Sequence, residues 1–208
     1  MTATRRPVVA AFDVDGTLTT RDCVVPFLYR TRGLRPGLAF VRHPFSASRA
    51  LVRRDRDTIK AMACTAFAGM HGEEVDVRGA AFAREIESRW LRPDTFARLR
   101  QHRELGHAVV LVSASLDPYL VPFGSSIGAE GVVCTELERD PNGVLTGQLA
   151  GPNCRGSEKV HRLETWLAAS GMTDAVVWAY GDSAGDDALL ARADHPIRVG
   201  HGRVSPTL

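Results

Sequence analysis

The sequence predicts an α/β protein: a parallel β-sheet flanked by helices, with a small all-helical segment inserted after the first strand. Three observations carry this. Uninterrupted apolar runs, Val8 to Phe12, Ala108 to Val112 and Ala175 to Tyr180, read as strands buried on both faces. Segments of helical periodicity alternate with them, which calls for parallel pairing. From about Thr19 to Trp90 no run reads as a buried strand, although apolar residues recur there at helical spacing.

Taken in order, the first strand breaks off at Asp13-Val14-Asp15-Gly16-Thr17, and Gly16 permits a turn. Val24, Val25, Phe27 and Leu28 line one helical face, and Ile59, Met62, Ala63, Ala66 and Phe67 another, with a third helix from about Glu73 to Trp90. Pro93-Asp94 opens a helix that stops at Gly106. The second strand, Ala108 to Ser115, leads into a short helix at Tyr119 to Phe123 and a third strand, Gly131 to Thr135. Asp140-Pro141-Asn142-Gly143 has the composition of a hairpin tip. Glu158 to Ala169 is an amphipathic helix, Ala175 to Tyr180 a fourth strand ending at Gly181-Asp182-Ser183, and Pro196 to Val199 a fifth.

Composition narrows the class. The 208 residues are long enough for a sizeable core, and 44% hydrophobic with 24% charged residues is ordinary for a folded globular chain. A net charge of +2 gives no chain-wide argument for nucleic acid as a partner. The charge is uneven, however, with an Arg-rich stretch from Arg30 to Lys60. Four scattered cysteines without Cys-x-x-Cys spacing argue against zinc and against a disulfide framework. Only five or six apolar residues precede Asp13, so a signal peptide, a membrane span and stable membrane association are not expected; a reducing, cytoplasmic setting is. The histidines show no partner spacing and read as surface or packing residues.

Parallel strands share a polarity, so Asp13, Ser113 and Asp182, each at the end of a strand, converge on one edge of the sheet. Asp13 and Asp15 repel each other unless a cation or a proton lies between them. A hard divalent cation such as Mg²⁺ takes carboxylate oxygens together with substrate phosphate. An ionised Asp can also attack phosphorus, while a lysine and a hydroxyl steady the phosphoryl oxygens. The loops of nucleotide-binding enzymes, Gly-x-x-x-x-Gly-Lys and Gly-x-Gly-x-x-Gly, are absent.

With these residues in place the chain resembles the haloacid dehalogenase superfamily of hydrolases, in the branch that includes phosphoserine phosphatase. Asp13-Val14-Asp15-Gly16-Thr17, Val112-Ser113-Ala114-Ser115, Gly156-Ser157-Glu158-Lys159 and Gly181-Asp182-Ser183-Ala184-Gly185-Asp186 match its four motifs in order. The resemblance implies a Rossmann-like core, residues 1–18 and 92–208, and a helical cap, residues 19–91. It implies Asp13 as nucleophile, Asp15 as general acid/base, and Ser113 with Ala114 as phosphate-binding residues. Lys159 would neutralise nucleophile and phosphate. Asp13, Asp182 and the backbone carbonyl of Asp15 would hold Mg²⁺, with Asp186, Gly181 and Ser183 in support.

The cap is where substrate choice is expected. Asp22 lies where phosphoserine phosphatases carry a Glu for the substrate ammonium, and Arg56 and Lys60 are the nearest candidates for a substrate carboxylate. Ser-Ala-Ser replaces the Ser-Gly-Gly expected for phosphoserine. The implied partner is a small phosphorylated metabolite, an amino-alcohol phosphate such as phosphoserine or histidinol phosphate, with a lipid-headgroup phosphate as the alternative. A binding module for phosphorylated ligands that has kept the fold without turnover is the alternative from another class. A dehalogenase is disfavoured, because that branch lacks an acid at the position of Asp15.

Overall fold

The computed structural model describes residues 6–33, 37, 55–200, 202 and 204–205. In chain order the strands are β1 (Val8–Phe12), β2 (Ala108–Leu116), β3 (Gly131–Thr135), β4 (Leu137–Arg139), β5 (Leu145–Leu149), β6 (Val176–Gly181) and β7 (His195–Arg198). The helices are α1 (Val24–Arg32), α2 (Arg56–Cys64), α3 (Gly72–Arg89), α4 (Pro93–Glu104), α5 (Asp117–Ser126), α6 (Ser157–Ala169) and α7 (Asp187–Arg192). Most of the Arg-rich stretch, including Arg35, Arg42, Arg49, Arg53 and Arg54, lies outside the described residues. Of its described members, Arg30 pairs with Glu85 at 2.6 Å.

Five strands form one parallel sheet in the order β3-β2-β1-β6-β7. Alternation along β1 sends successive side chains to opposite faces. Ala10 and Phe12 join the larger apolar cluster with Leu99 of α4 and Tyr119, Leu120 and Phe123 of α5. Val9 and Ala11 join the other, with Leu163 and Leu167 of α6 and Leu189 and Leu190 of α7. A strand apolar at every position is therefore the one that both helical layers require.

The inserted helices share the larger cluster. Phe27 of α1, Ala63 of α2 and Phe82 of α3 belong to it, and α3 packs along α5. The predicted hairpin, β4 with β5, has Asp140 Oδ1 accepting from the backbone N–H groups of Asn142 and Val144 across its tip. It also braces the insertion. Gly69 N–H donates to Leu145 O at 2.9 Å, Leu145 N–H to Met70 O at 2.8 Å and Gly72 N–H to Gly143 O at 2.8 Å. Helix α5 is longer than its apolar core of Tyr119 to Phe123 suggests, because Pro118 sits in the first turn, where no N–H is needed.

His102 of α4 is more than packing. It is fully buried, its Nε2 lies 2.8 Å from the Tyr180 hydroxyl, and its Nδ1 lies 2.9 Å from Nδ1 of His107. Burial, and then the neighbouring His107, lower its pKa to about 3. Its unfolded value is about 6.5, so as pH falls from there the unfolded chain takes up a proton that the native state refuses, and stability is lost. His102→Gln, which cannot ionise, is expected to narrow or reverse its Tm deficit against wild type between pH 7 and pH 4. A Tm difference that is constant over that range would contradict the assignment.

Candidate active site

The sheet order reverses beside β1: the chain runs outward through β2 and β3, then returns to place β6 and β7 on the other side. The crevice at the carboxyl ends of β1 and β6 is thus the switch point where open α/β sheets hold ligands. Asp13 follows β1 directly, and its N–H donates to Tyr180 O at 2.9 Å, extending the ladder by one residue and fixing its direction. Asp182 follows β6. Gly16 has φ 85°, and a methyl group on it would collide with the Asp182 carboxylate. The tight turn thereby brings Asp182 over the end of β1, where Thr17 Oγ1 donates to its Oδ1 at 3.4 Å.

Lys159, in the first turn of α6, is 2% exposed. Its Nζ donates to Asp13 Oδ1 at 2.6 Å and to Asp186 Oδ1 at 2.5 Å. The other Asp186 oxygen accepts from both the N–H and the hydroxyl of Ser183, each at 3.0 Å. Gly181 makes room for this, since a methyl group there would strike the Asp186 side chain. One carboxylate oxygen from each of Asp13, Asp182 and Asp186 falls within a span of 4.8 Å.

Three carboxylates thus face one ammonium. Burial pushes the Asp13 carboxyl up to about 7 against the pull of Lys159. Burial and then Asp186 raise Asp182. Burial works against the charge of Asp186 too, but the Lys159 ammonium outweighs it and holds that carboxyl low. Lys159 itself is raised, because Asp13 and Asp186 overcome the cost of burying it. A cluster of hard oxygen donors with an excess of buried negative charge suits a small divalent cation.

The Asp15 carboxyl stands outside this cluster of carboxylates. Its Oδ1 accepts from Cys23 N–H at 2.9 Å and its Oδ2 from the Ser115 hydroxyl at 2.8 Å. Burial, and then Asp22, lift its pKa to about 6. Ser113 is buried, and its Oγ accepts from Ser115 N–H at 3.1 Å.

A cavity of about 540 Å³ opens over these groups, lined by Asp13, Asp15, Ser113, Ala114, Lys159 and Asp182 on the sheet side. Val24, Leu28, Ile59 and Ala63 of the inserted helices give it an apolar wall, and Asp22, Arg56 and Lys60 line it as well. A larger cleft of about 1080 Å³ lies on the far side of Gly16 and Asp182, lined by Arg92, Asp94 and Arg198 among others. It contains none of Asp13, Ser113 and Lys159, so the smaller cavity is the site.

Every residue expected from the sequence except Gly181 lines this cavity, but Asp22, Lys60 and Ser183 each spend a polar group on the protein itself. One oxygen of Asp22 accepts from Val25 N–H at 2.9 Å in the first turn of α1. Lys60 is nine-tenths buried, and its ammonium donates to Ala114 O and, at 2.8 Å, to Asn153 Oδ1. Ser183 serves Asp186 rather than the cavity. Sequence reasoning missed Asn153 and Arg155, which line the cavity from the loop before α6, and Ser115 with Tyr119 behind Asp15. Asn153 also bonds Thr135 and Asp57, at 2.8 and 2.6 Å. The available signal was a polar loop between Pro152 and Gly156 at the same sheet edge, and a second serine in Ser113-Ala114-Ser115.

Comparison with known proteins agrees with this geometry. The model of the haloacid dehalogenase-like hydrolase family matches residues 10–191. Protein CicA of Caulobacter vibrioides is 35% identical over 189 residues, 90% of this chain and 84% of that protein. A histidinol-phosphatase of Neisseria meningitidis is 27% identical over 127 residues, 58% of this chain and 57% of that protein. The structure of a substrate-bound phosphoserine phosphatase superposes with a TM-score of 0.62 at 15% identity, covering 95% of this chain and 87% of that one. The chain belongs to the haloacid dehalogenase-like hydrolases and has the fold of their phosphoserine phosphatase-like members.

Proposed function

We propose that the protein is a Mg²⁺-dependent phosphatase that hydrolyses a small phosphate monoester through an aspartyl-phosphate on Asp13. The observation that carries this is the Lys159 ammonium on Asp13 Oδ1, at the floor of a cavity that also presents Ser113 and Asp182. Lys159 holds one oxygen of the nucleophile and leaves Oδ2 to attack phosphorus. The Asp13 O–P bond forms as the ester P–O bond breaks, and Asp15 gives the leaving oxygen its proton. Asp15 then takes a proton from water, whose oxygen displaces Asp13 and releases inorganic phosphate. A carboxyl near pKa 6 suits both directions of transfer close to neutral pH. Ser113 and the main chain of Ala114 hold phosphoryl oxygens.

Asp13, Asp182 and the Asp15 carbonyl would hold Mg²⁺, with Asp186, Gly181 and Ser183 keeping the cluster in place. The bound ion supplies charge neutralisation to the phosphoryl group. Turnover of an aryl phosphate is expected to vanish with a chelator and to return with added Mg²⁺. Turnover that is indifferent to the chelator would contradict the reading.

In this reading residues 1–18 and 92–208 form the core, and residues 19–91 a cap whose apolar wall sheds water from the cavity. The substrate class is an amino-alcohol phosphate. Asp22 brings a carboxylate to the cavity for a substrate ammonium, with Arg56 and Lys60 near it for an anionic group. Histidinol phosphate is the substrate named by one relative, and phosphoserine that named by the structural neighbour. Among the described residues no helix is long and apolar enough to cross a membrane.

A further inference from the structure

Behind Asp15 stand two fully buried hydroxyls that the reaction above does not use. Tyr119, in the first turn of α5, donates to Ser115 Oγ at 2.9 Å, and Ser115 donates to Asp15 Oδ2 at 2.8 Å. With Cys23 N–H on Oδ1, both oxygens of the carboxyl are held and its plane is set. Ser115 also acts through its backbone. Its N–H donates to Ser113 Oγ at 3.1 Å, which occupies a lone pair of that hydroxyl and leaves its proton for a ligand in the cavity. The carbonyl of the same peptide group, that of Ala114, accepts from the Lys60 ammonium, and a cation on a carbonyl strengthens the N–H at its other end.

We propose that Ser115, backed by Tyr119, is a positioning residue that aims the Asp15 carboxyl at the leaving group while its own peptide N–H aims the Ser113 hydroxyl at the phosphoryl group. The arrangement is built rather than incidental. A glycine or an alanine at this place would supply the N–H but no hydroxyl, and Asp15 Oδ2 would lose the only donor the structure gives it among the described residues. Buried hydroxyls in series polarise one another, so the Tyr119 proton strengthens the bond that Ser115 makes to Asp15.

The inference rests on Asp15 as the acid that protonates the leaving group, and the test separates the two. kcat/KM is measured for a series of aryl phosphates from 4-nitrophenyl phosphate to phenyl phosphate, and for a simple alkyl phosphate, with Tm recorded alongside. Good leaving groups need no proton and poor ones do. Ser115→Ala is expected to cost little with 4-nitrophenyl phosphate and on the order of 10²-fold with the alkyl ester. Tyr119→Phe, which keeps the ring and its packing, is expected to show the same bias at about 10-fold, and decides the matter if Ser115→Ala fails to fold. Asp15→Asn is the reference and should show the steepest bias. If Asp15→Asn is biased while Ser115→Ala and Tyr119→Phe lose activity equally on every ester, or lose none, the positioning role is wrong. If Asp15→Asn itself shows no bias, the acid role of Asp15 is wrong instead.

Discussion

Asp13→Asn is expected to lower kcat by about 10⁴-fold or more, because the amide cannot form the covalent bond to phosphorus. Stability should move the other way. Burial foremost has pushed the Asp13 carboxyl up to about 7, so its native state binds a proton more tightly than the unfolded chain does. A raised carboxyl costs stability as pH climbs from about 4 to about 7, and the full cost is present above that. Metal-free Asp13→Asn should therefore melt no lower than metal-free wild type at pH 8, with the advantage shrinking towards pH 4. Loss of activity accompanied by unfolding at pH 8 would show that Asp13 is structural. Functional groups held at a cost to stability are what an active site is expected to contain.

Lys159→Met reverses that pattern. It removes the one ammonium that bonds both Asp13 and Asp186 and leaves the two carboxylates buried side by side. Breaking a buried ion pair from one side typically costs about 3–5 kcal/mol. Turnover should fall by about 10³-fold, since phosphoryl charge loses a preorganised cation. Without the ammonium, both acids rise in pKa and bind protons more tightly in the native state, so the variant should recover stability as pH falls from 8 to 5. Denaturant unfolding at the two pH values reads this directly. A variant as stable as wild type at pH 8 would mean that the lysine is not the counter-charge of the pair.

The two cases explain how much the sequence disclosed. Strands β1, β2 and β6 were legible because a strand covered on both faces must be apolar at every position, and Asp13, Ser113 and Asp182 because polarity resumes where each strand leaves the sheet. Gly16 was legible as a turn residue, but not the carboxylate that its missing methyl group admits, nor the one that Gly181 admits. Contacts between distant segments were hidden. Nothing along the chain announces that Lys60 reaches Ala114 and Asn153, or that His102 finds Tyr180, since each partner lies more than fifty residues away. Ser115 is an intermediate case. It stood within a recognised motif, yet its role depends on Asp15 lying 100 residues earlier, and only the pairing of β1 with β2 brings them together.

The most direct test of the covalent route is to stop wild type with acid during turnover of a phosphate monoester and locate the phosphoryl group by peptide mass mapping. The expected result is one phosphoryl group on the peptide that carries Asp13, labile to hydroxylamine as an acyl phosphate is, and absent from Asp13→Asn. A phosphoryl group on any other residue, or turnover that leaves no phosphoryl group on Asp13 and inverts the configuration at phosphorus as one direct displacement by water does, would contradict the account.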